Sequence, residues 1–472
     1  MVNEEKKMNQ SKSIQQLCEI LWQIENDFNL LETEIQNVKV WQYIRMQTYY
    51  TIAEKSGILQ TPHAQKQTIY GQLKKILTYA KSLLFYNPFF IFTRDIDEIV
   101  IDHPRPKQID GRNIDIYTHY YLKELEQKNK HYLVLERPFL NTFHTKTNTK
   151  HRKYLDTFSA ISSIKSKIFP LHLDPNEIIL IKQWEEVIQK RLGVKLEMQQ
   201  LIRAAVSKYK NNYALYRYLF SKLRPKKLVL VVSYAYGDAI RAAKDLGIET
   251  VEIQHGTLSK YHLGYSFPNR TDDLDYFPDK FIAWGEYWKN LKVIPLSEKN
   301  IIIGGFTHFN YLKERYKIIT QKQDQILILS QGALGPQIAD KILTQIEYLK
   351  DYSIVYKLHP GEYSRWKEYT SLLKLSKLPN VKIVKDEDIY KLFSESAFQV
   401  GVFSTALYEG LGFDCKTILL ELPGIEYMSD LIKNNTVKVL QGNEHIIDLI
   451  KSFDQTTNGY KNISNEMFGN SI

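Results

Sequence analysis

The sequence predicts an α/β protein of two lobes, each a parallel sheet flanked by helices, facing a cleft and preceded by a helical extension. Three observations predict it. Short apolar runs of strand length alternate with stretches of helical apolar spacing, the rhythm of parallel β-α-β units. That rhythm starts near residue 97 and starts again near residue 280. At 472 residues, 43% apolar and 25% charged, the chain is long enough for two or three domains and apolar enough for a core in each.

Residues 1–90 read as the extension. Leu17, Leu21, Ile24, Phe28, Leu31, Ile35 and Val38 are spaced alternately by four and three. This is one helical stripe at a heptad period, and three heptads suit a helix packed on its own domain better than a coiled coil. Residues 66–92 mix Lys66, Lys74, Lys75 and Lys81 with Tyr70, Leu73, Ile76, Leu77, Leu83 and Leu84, and end in FYNPFFIF. The mix fits a basic amphipathic element lying on anionic lipid, or a surface helix leading into a buried strand. The apolar stretch is short, so the second reading is preferred.

Residues 91–285 read as the first lobe. Its strands are DEIVID (97–102), HYLVLE (131–136), KKLVLVVS (226–233) and ETVEIQ (249–254), with helices near 117–128, through 176–223 and from Gly237 to Leu246. The texture repeats in KFIAWG (280–285), NIIIGG (300–305), QILILSQG (325–332), YSIVYKLHP (352–360), NVKIV (380–384), FQVGVFS (398–404) and KTILLEL (416–422). Residues 286–472 are assigned to the second lobe. No repeat of solenoid period is visible.

Several classes are excluded or disfavoured. No apolar run reaches about 18 residues, so no membrane-spanning helix is expected. MVNEEKKMNQSKS lacks the apolar core of a secretory signal. Two cysteines far apart, Cys18 and Cys415, predict neither disulfides nor a Cys/His metal cluster. The expected setting is the reduced cytoplasm. A net charge of +10 favours anionic partners. The basic residues are scattered and no nucleic-acid-binding signature occurs, so nucleic acid is not an expected partner. The strings Asp95/Asp97 and Asp386/Asp388 read as solvated acids rather than a metal site.

In open parallel sheets, ligands bind outside the carboxyl ends of strands. Four such ends carry chemistry. After ETVEI comes Gln254-His255-Gly256-Thr257, where the glycine allows close backbone approach and the histidine is either a base near neutral pH or a loop residue bonded to its own turn. After SIVY comes Lys357-Leu358-His359-Pro360-Gly361-Glu362, in which Pro360 stops the strand. After FQVGV comes Phe403-Ser404-Thr405-Ala406-Leu407-Tyr408-Glu409-Gly410. Its hydroxyls either cap a helix or, with the helix N-terminus, hold a phosphate, and Glu409 lies one turn in, within reach of a ribose. After QILIL comes Ser330-Gln331-Gly332-Ala333-Leu334-Gly335, a weaker phosphate-loop candidate that lacks the P-loop lysine.

Together the QHGT, KLHP and FSTALYEG loops, in this order after successive strands, resemble the signatures of bacterial GT-B transferases that build surface polysaccharides. The similar groups are capsule polysaccharide biosynthesis transferases, CDP-glycerol glycerophosphotransferases of teichoic-acid type, and bacterial sialyl- and Kdo-transferases. DEIVIDHPRPKQIDGRNIDIYT (97–118) is similar to the start of the first lobe in capsule-type members. The resemblance covers roughly residues 97–425. It implies a GT-B-like fold of two Rossmann-like lobes, an acceptor lobe before a nucleotide-donor lobe. It also implies that His255 is the general base and that His359, Ser404 and Thr405 meet the donor phosphate. The acidic base motif of many sialyltransferases has no copy in the first lobe, which favours the histidine scheme.

The expected site is therefore His255 and His359 as catalytic groups. Ser330, Gln331, Gly332, His359, Pro360, Ser404, Thr405 and Glu409 are expected on the donor side, and Gln254, Gly256 and Thr257 on the acceptor side. Asp238 and Glu252 are the alternative first-lobe bases. No metal and no cofactor is expected. The expected function is metal-independent, inverting transfer of a sugar from a CMP-, CDP- or UDP-linked donor. The acceptor would be a surface glycan or lipid-linked glycan, with peripheral contact to an anionic membrane. The alternatives are CDP-polyol phosphate transfer, nucleotide-sugar epimerisation and non-catalytic nucleic-acid binding.

Overall fold

A computed structural model describes residues 13–59, 69–91, 96–104, 107–109, 111–137, 151–317, 322–453 and 463–469. Lys66, Phe92 and Asp95 lie outside them. The first sheet consists of β1 (Glu98–Ile101), β4 (Tyr132–Glu136), β5 (Arg152–Tyr154), β6 (Lys227–Leu230), β7 (Glu249–Ile253), β8 (Lys280–Ala283) and β9 (Ile301–Ile303). All pairs are parallel, in the order β5-β4-β1-β6-β7-β8-β9. A small antiparallel hairpin, β2 (Lys107–Ile109) with β3 (Arg112–Ile114), follows β1. Every residue of β1 and β4 is buried, as expected of parallel strands covered by helices on both faces.

The second sheet consists of β10 (Gln323–Leu329), β11 (Ser353–Lys357), β12 (Val381–Val384), β13 (Ser396–Gly401), β14 (Lys416–Leu420) and β15 (Lys438–Leu440). It is also parallel, in the order β12-β11-β10-β13-β14-β15. In both sheets the chain winds outward from its first strand, returns, and winds out on the other side. The strand order therefore reverses between β1 and β6 and between β10 and β13, which are the places where open α/β sheets bind ligands. The two-lobed, GT-B-like architecture expected from the sequence is present.

The lobe boundary differs from the expected one. β8 and β9 extend the first sheet to Ile303, so NIIIGG, assigned to residues 286–472, belongs to the first lobe, and two more strands of that sheet follow the QHGT loop. The β7–β8 connection carries no helix and so conceals the unit. It is fastened instead by Thr250, whose backbone N–H and hydroxyl both donate to Asp279 Oδ2 at 2.9 and 2.7 Å. Residues 463–469 also pack against the first lobe. Trp288 Nε1 donates to Met467 O at 2.6 Å and Phe306 N to Phe468 O at 2.8 Å. Gly285 permits this, because a Cβ there would lie 2.1 Å from Glu466 O.

In the extension, α1 spans Ile14–Asp27 and α2 spans Val40–Lys55. The heptad stripe is broken after α1 by Asn29 at φ 47, and Ile35 and Val38 form an isolated bridge. Leu17, Leu21 and Ile24 are buried in a core shared with α5 (Pro175–Leu192) and α6 (Met198–Leu223), as expected of a helix packed on its own domain. The extension touches both lobes. Cys18 Sγ donates to Tyr261 O at 3.5 Å and Ile14 N to Glu426 Oε1 at 3.1 Å, while Tyr49 and Tyr427 share a hydroxyl hydrogen bond.

Arg45 ties this core together. It pairs with Glu25 at 2.6 Å with both side chains at most 4% exposed, and its Nη1 donates to Leu263 O and Ser266 O of the first lobe. Arg45→Ala leaves Glu25 as an uncompensated buried charge. It is expected to cost about 3–5 kcal/mol in urea unfolding.

The third helix, α3, spans Ile69–Phe85, and the described residues that follow it, 86–91, form no strand. Asn87 instead caps one turn of 3-10 helix at Pro88–Phe90, accepting from Phe89 N at 2.9 Å. Pro88 supplies the fixed φ of a helical first position and no ladder N–H.

Candidate functional site

The second-lobe loops are drawn together by one buried carboxylate. Glu362 accepts from Ser330 Oγ at 3.0 Å and from His359 N at 2.9 Å, so the Ser330-Gln331-Gly332 loop after β10 is tied to the His359 loop after β11. Gly332 makes that approach feasible, since a Cβ on it would sit 3.0 Å from His359 Nδ1. Arg365 Nη2 closes the same junction by donating to Gly332 O. Gly361 N donates to His359 Nδ1 at 3.1 Å, which makes Nδ1 the acceptor and puts the proton of the neutral ring on Nε2. His359 and Pro360 are exposed, while Gln331 Oε1 is buried without a hydrogen-bond partner.

β13 leads to Ser404 at the N-cap of α7 (Thr405–Gly412). Ser404 has the extended backbone of an N-cap, but its hydroxyl makes no capping bond and is buried without a partner. Further along α7, Glu409 is buried and accepts from Tyr390 OH at 2.7 Å. Burial raises its pKa against the opposing pull of Lys107 and Tyr390. Lys107 Nζ, on the first-lobe hairpin, lies 5.5 Å from the Tyr390 ring, so that hairpin reaches across to the second lobe.

The QHGT loop meets α7 from the other side. An ideal Cβ on Gly256 would lie 3.5 Å from Thr405 Oγ1. The loop is held by Gln254, which is fully buried: its Nε2 donates to Gly256 O at 2.9 Å, its Oε1 accepts from Trp284 N at 2.8 Å, and Trp284 Nε1 donates to its carbonyl at 2.9 Å. Both ends of the Gln254 amide thus bind within this junction, whereas Gly256 and Thr257 are half-buried.

His255 is 14% exposed and is backed by a chain of polar groups. Tyr265 OH lies 3.0 Å from His255 Nδ1 and 2.6 Å from Glu252 Oε1. With Glu252 ionised, the tyrosine donates to the carboxylate and accepts from Nδ1–H, which leaves the imidazole lone pair on Nε2. Glu252 is fully buried, and burial pushes its pKa up to about 7 against hydrogen bonds from Ser233 and Tyr265 and the backbone at Val232. Val232 adopts φ 66, a costly conformation for a β-branched residue. The turn it forms aims Ser233 N at Glu252 Oε1, 3.1 Å away.

The end of β1 supplies a second wall. The His103 ring stacks on His255 at 5.8 Å, and His103 N donates to Asp115 Oδ2 at 2.9 Å. Asp115 is buried; burial and the neighbouring Asp102 push its pKa well above the ordinary carboxylate range. Arg152 pairs with Asp102. Asp238, the alternative base in the sequence, binds Tyr43 OH, Asn212 Nδ2 and Ala239 N and is fully buried. Asp388 accepts from Tyr390 N at 2.9 Å as a helix N-cap. Among the described residues no group of three or more His, Cys, Asp or Glu is arranged to hold a metal ion.

Sequence reasoning missed Tyr265, His103, Asp115 and the Glu362 tie. His103 directly follows the DEIVID run, so the strand-end rule reaches it, but nothing in the sequence joins Tyr265 to His255. Tyr265→Phe is expected to lower turnover by about 10–100-fold, the effect of a buried hydrogen bond of about 1–3 kcal/mol felt in the transition state. It should also move the acid limb of the pH profile away from 7, a change that a packing defect alone would not produce.

Two facing lobes with strand-end loops meeting across the cleft define an α/β protein of GT-B-like architecture. No family model matches the chain. It is 27% identical over 182 residues to an uncharacterized protein of Methanocaldococcus jannaschii, covering 37% of this chain and 32% of that protein. The chain thus spans about a third of the length of the curated relative it matches. Similar solved structures include the UDP-GlcNAc 2-epimerase of Methanocaldococcus jannaschii, with a TM-score of 0.48 and 13% identity over 79% of this chain and 96% of that one. The UDP-GlcNAc 2-epimerase of Neisseria meningitidis bound to UDP-GlcNAc has a TM-score of 0.45 and 16% identity over 79% and 96%. MurG of Acinetobacter baumannii has a TM-score of 0.42 and 13% identity over 76% and 90%.

Proposed function

We propose that the chain transfers a sugar from a nucleotide-activated donor to a hydroxyl of a growing surface glycan, in one inverting, metal-independent displacement. The observation that carries this reading is the meeting of the QHGT loop with the start of α7, where Gly256 faces Thr405 and the Ser404 hydroxyl is buried and unpartnered. His255 Nε2 takes the acceptor proton as the new bond from the acceptor oxygen to the anomeric carbon forms. The bond from that carbon to the phosphate oxygen breaks, and the nucleotide phosphate leaves with the electron pair. Its charge is met by the Ser404 and Thr405 hydroxyls, the N-terminus of α7 and the Nε2–H of His359. Closure of the lobes keeps water from the donor.

The test is thermal stability against CMP, CDP, UDP and GDP. A nucleotide bound to the native state raises stability by about 2.7 kcal/mol at a hundredfold excess over its Kd. No shift with any of the four overturns the reading. Nucleotide-sugar epimerisation is the second reading, favoured by two buried first-lobe carboxyls with raised pKa beside the site, Glu252 behind Tyr265 and His255 and Asp115 behind His103. Conversion of the donor sugar to its epimer in the absence of acceptor would decide for it.

A further inference from the structure

α3 sits on the first lobe the wrong way round for a soluble helix. Leu73, Ile76, Leu77 and Leu84 form one stripe, with Leu77 69% and Leu84 68% exposed, while Ser82 is turned fully inward. Thr78 and Tyr79 are half-buried. The neighbouring helix α4 (Asp156–Ile168) adds Ile164 and Ile168, followed by Phe169 at 74% exposure. Phe85 and Phe90 continue the apolar face at the end of α3.

This face is built into the lobe. Tyr154 N of the edge strand β5 donates to Tyr86 O at 2.9 Å, Tyr86 stacks on Tyr154 at 4.4 Å, and Phe89 stacks on Phe158 of α4 at 5.2 Å. Exposed apolar side chains in this number on two packed helices mark an interaction site.

Charge identifies the partner. The sequence of α3, IYGQLKKILTYAKSLLF, holds Lys74, Lys75 and Lys81 and no acid. The last turn of α4 carries Lys165 and Lys167, and its one acid, Asp156, is buried at the opposite end. Lys81, Lys165 and Lys167 are exposed beside the apolar residues. A second copy of this face would set lysines against lysines, whereas an anionic bilayer complements both the apolar stripe and the charge. α3 is too short and too basic to cross a membrane, and no helix among the described residues is long and apolar enough to do so. An in-plane pose remains.

We propose that the α3–α4 face is a docking surface for an anionic lipid bilayer, seating the first lobe on the membrane with α3 in the interface plane. The inference does not depend on the donor chemistry proposed above, and its failure leaves that chemistry standing.

The test is co-sedimentation of the full chain with vesicles of phosphatidylcholine alone and of phosphatidylcholine mixed with phosphatidylglycerol. The wild type is expected to pellet with the mixed vesicles and to be released by salt. Lys81→Gln/Lys165→Gln/Lys167→Gln should weaken this by about a hundredfold, the effect of three lysines near an anionic surface. Leu77→Glu/Leu84→Glu, at positions already in water, should abolish it with the melting temperature kept. Wild type left in the supernatant with the mixed vesicles overturns the proposal, as do folded variants that pellet like wild type. A wild-type dimer that Leu77→Glu/Leu84→Glu converts to monomer, without vesicle binding by either, assigns the face to a second copy instead.

Discussion

His255→Ala is expected to lower kcat by about 10²–10⁴, the range for loss of a general base, while nucleotide affinity and melting temperature stay close to wild type. In the proposed reaction the base acts on the acceptor proton alone, so its removal should leave the proposed donor site on α7 intact. The ring belongs to a loop, and the loop's own anchor is Gln254 bonded to Trp284, so folding should not depend on the imidazole. A histidine that only braces its turn predicts the reverse, lost stability with turnover preserved in the folded fraction. The pH dependence has a definite sign. Glu252 titrates near 7. As pH falls through that value the carboxylate gains a proton, ceases to be the anionic acceptor of Tyr265 OH, and stops fixing the proton on His255 Nδ1. Turnover should therefore fall on the acid side of 7. Stability moves oppositely, because a buried carboxyl with a raised pKa favours folding more while it is protonated. The Glu252 contribution shrinks as pH climbs from the ordinary glutamate range to about 7. Wild-type turnover in His255→Ala would remove His255 from the mechanism. Glu252 and Asp115 would then be the first-lobe groups to test, since Asp238 binds Tyr43, Asn212 and its own helix start.

The strands of both sheets that are buried on two faces were legible because burial of that kind demands an unbroken apolar run, as in Ile99-Val100-Ile101 and Ile326-Leu327-Ile328. Of the four edge strands, β9 (NIIIGG) and β12 (NVKIV) were still legible as apolar runs, whereas β5 and β15 escape the same reading. β5 is RKY and β15 is KVL, short and partly charged, as sheet edges are when they resist further pairing. The β7–β8 crossover was hidden for a different reason. Its loop packs Leu258, Leu263 and Tyr265 into cores without forming a helix, so periodicity has nothing to detect. The same loop delivers Tyr265 to His255, and no spacing rule links two residues whose contact is set by how a long loop folds back. α3 shows the complementary limit. Periodicity reveals an apolar stripe but not whether it faces a core or the solvent, and here it faces the solvent. The strand-end rule follows from topology: QHGT, HP and FST follow the parallel strands β7, β11 and β13, and Glu362 ties the HP loop to the Ser330 loop after β10, the neighbour of β13 at the reversal of strand order.

The Ser404→Ala/Thr405→Ala double variant is expected to weaken nucleotide binding by about a hundredfold or more, because a hydrogen bond to a charged group contributes about 1.5–3 kcal/mol. The competing account, in which Ser404 serves as an ordinary helix cap, makes the opposite prediction. Loss of a capping serine costs about 0.5–2 kcal/mol of stability and leaves ligand affinity alone. The Ser404 hydroxyl makes no capping bond to α7 and is buried without a partner, so its removal should take little from the helix. His359→Ala should act on the same affinity by a different route. Gly361 N occupies Nδ1 as a donor, which fixes the ring proton on Nε2, the N–H assigned to the phosphate in the proposed reaction. Alanine removes that donor, while Glu362 still ties the loop to Ser330, so the loop should hold its course. Gly332→Ala then probes the geometry from the neighbouring loop, because the new Cβ would lie 3.0 Å from His359 Nδ1 and must move the ring. It should weaken nucleotide binding in the same direction as His359→Ala and add nothing further in the double variant. Calorimetry on one set of preparations reads all four. Unchanged nucleotide affinity in both His359→Ala and Ser404→Ala/Thr405→Ala would take the donor away from the crevice between β10 and β13.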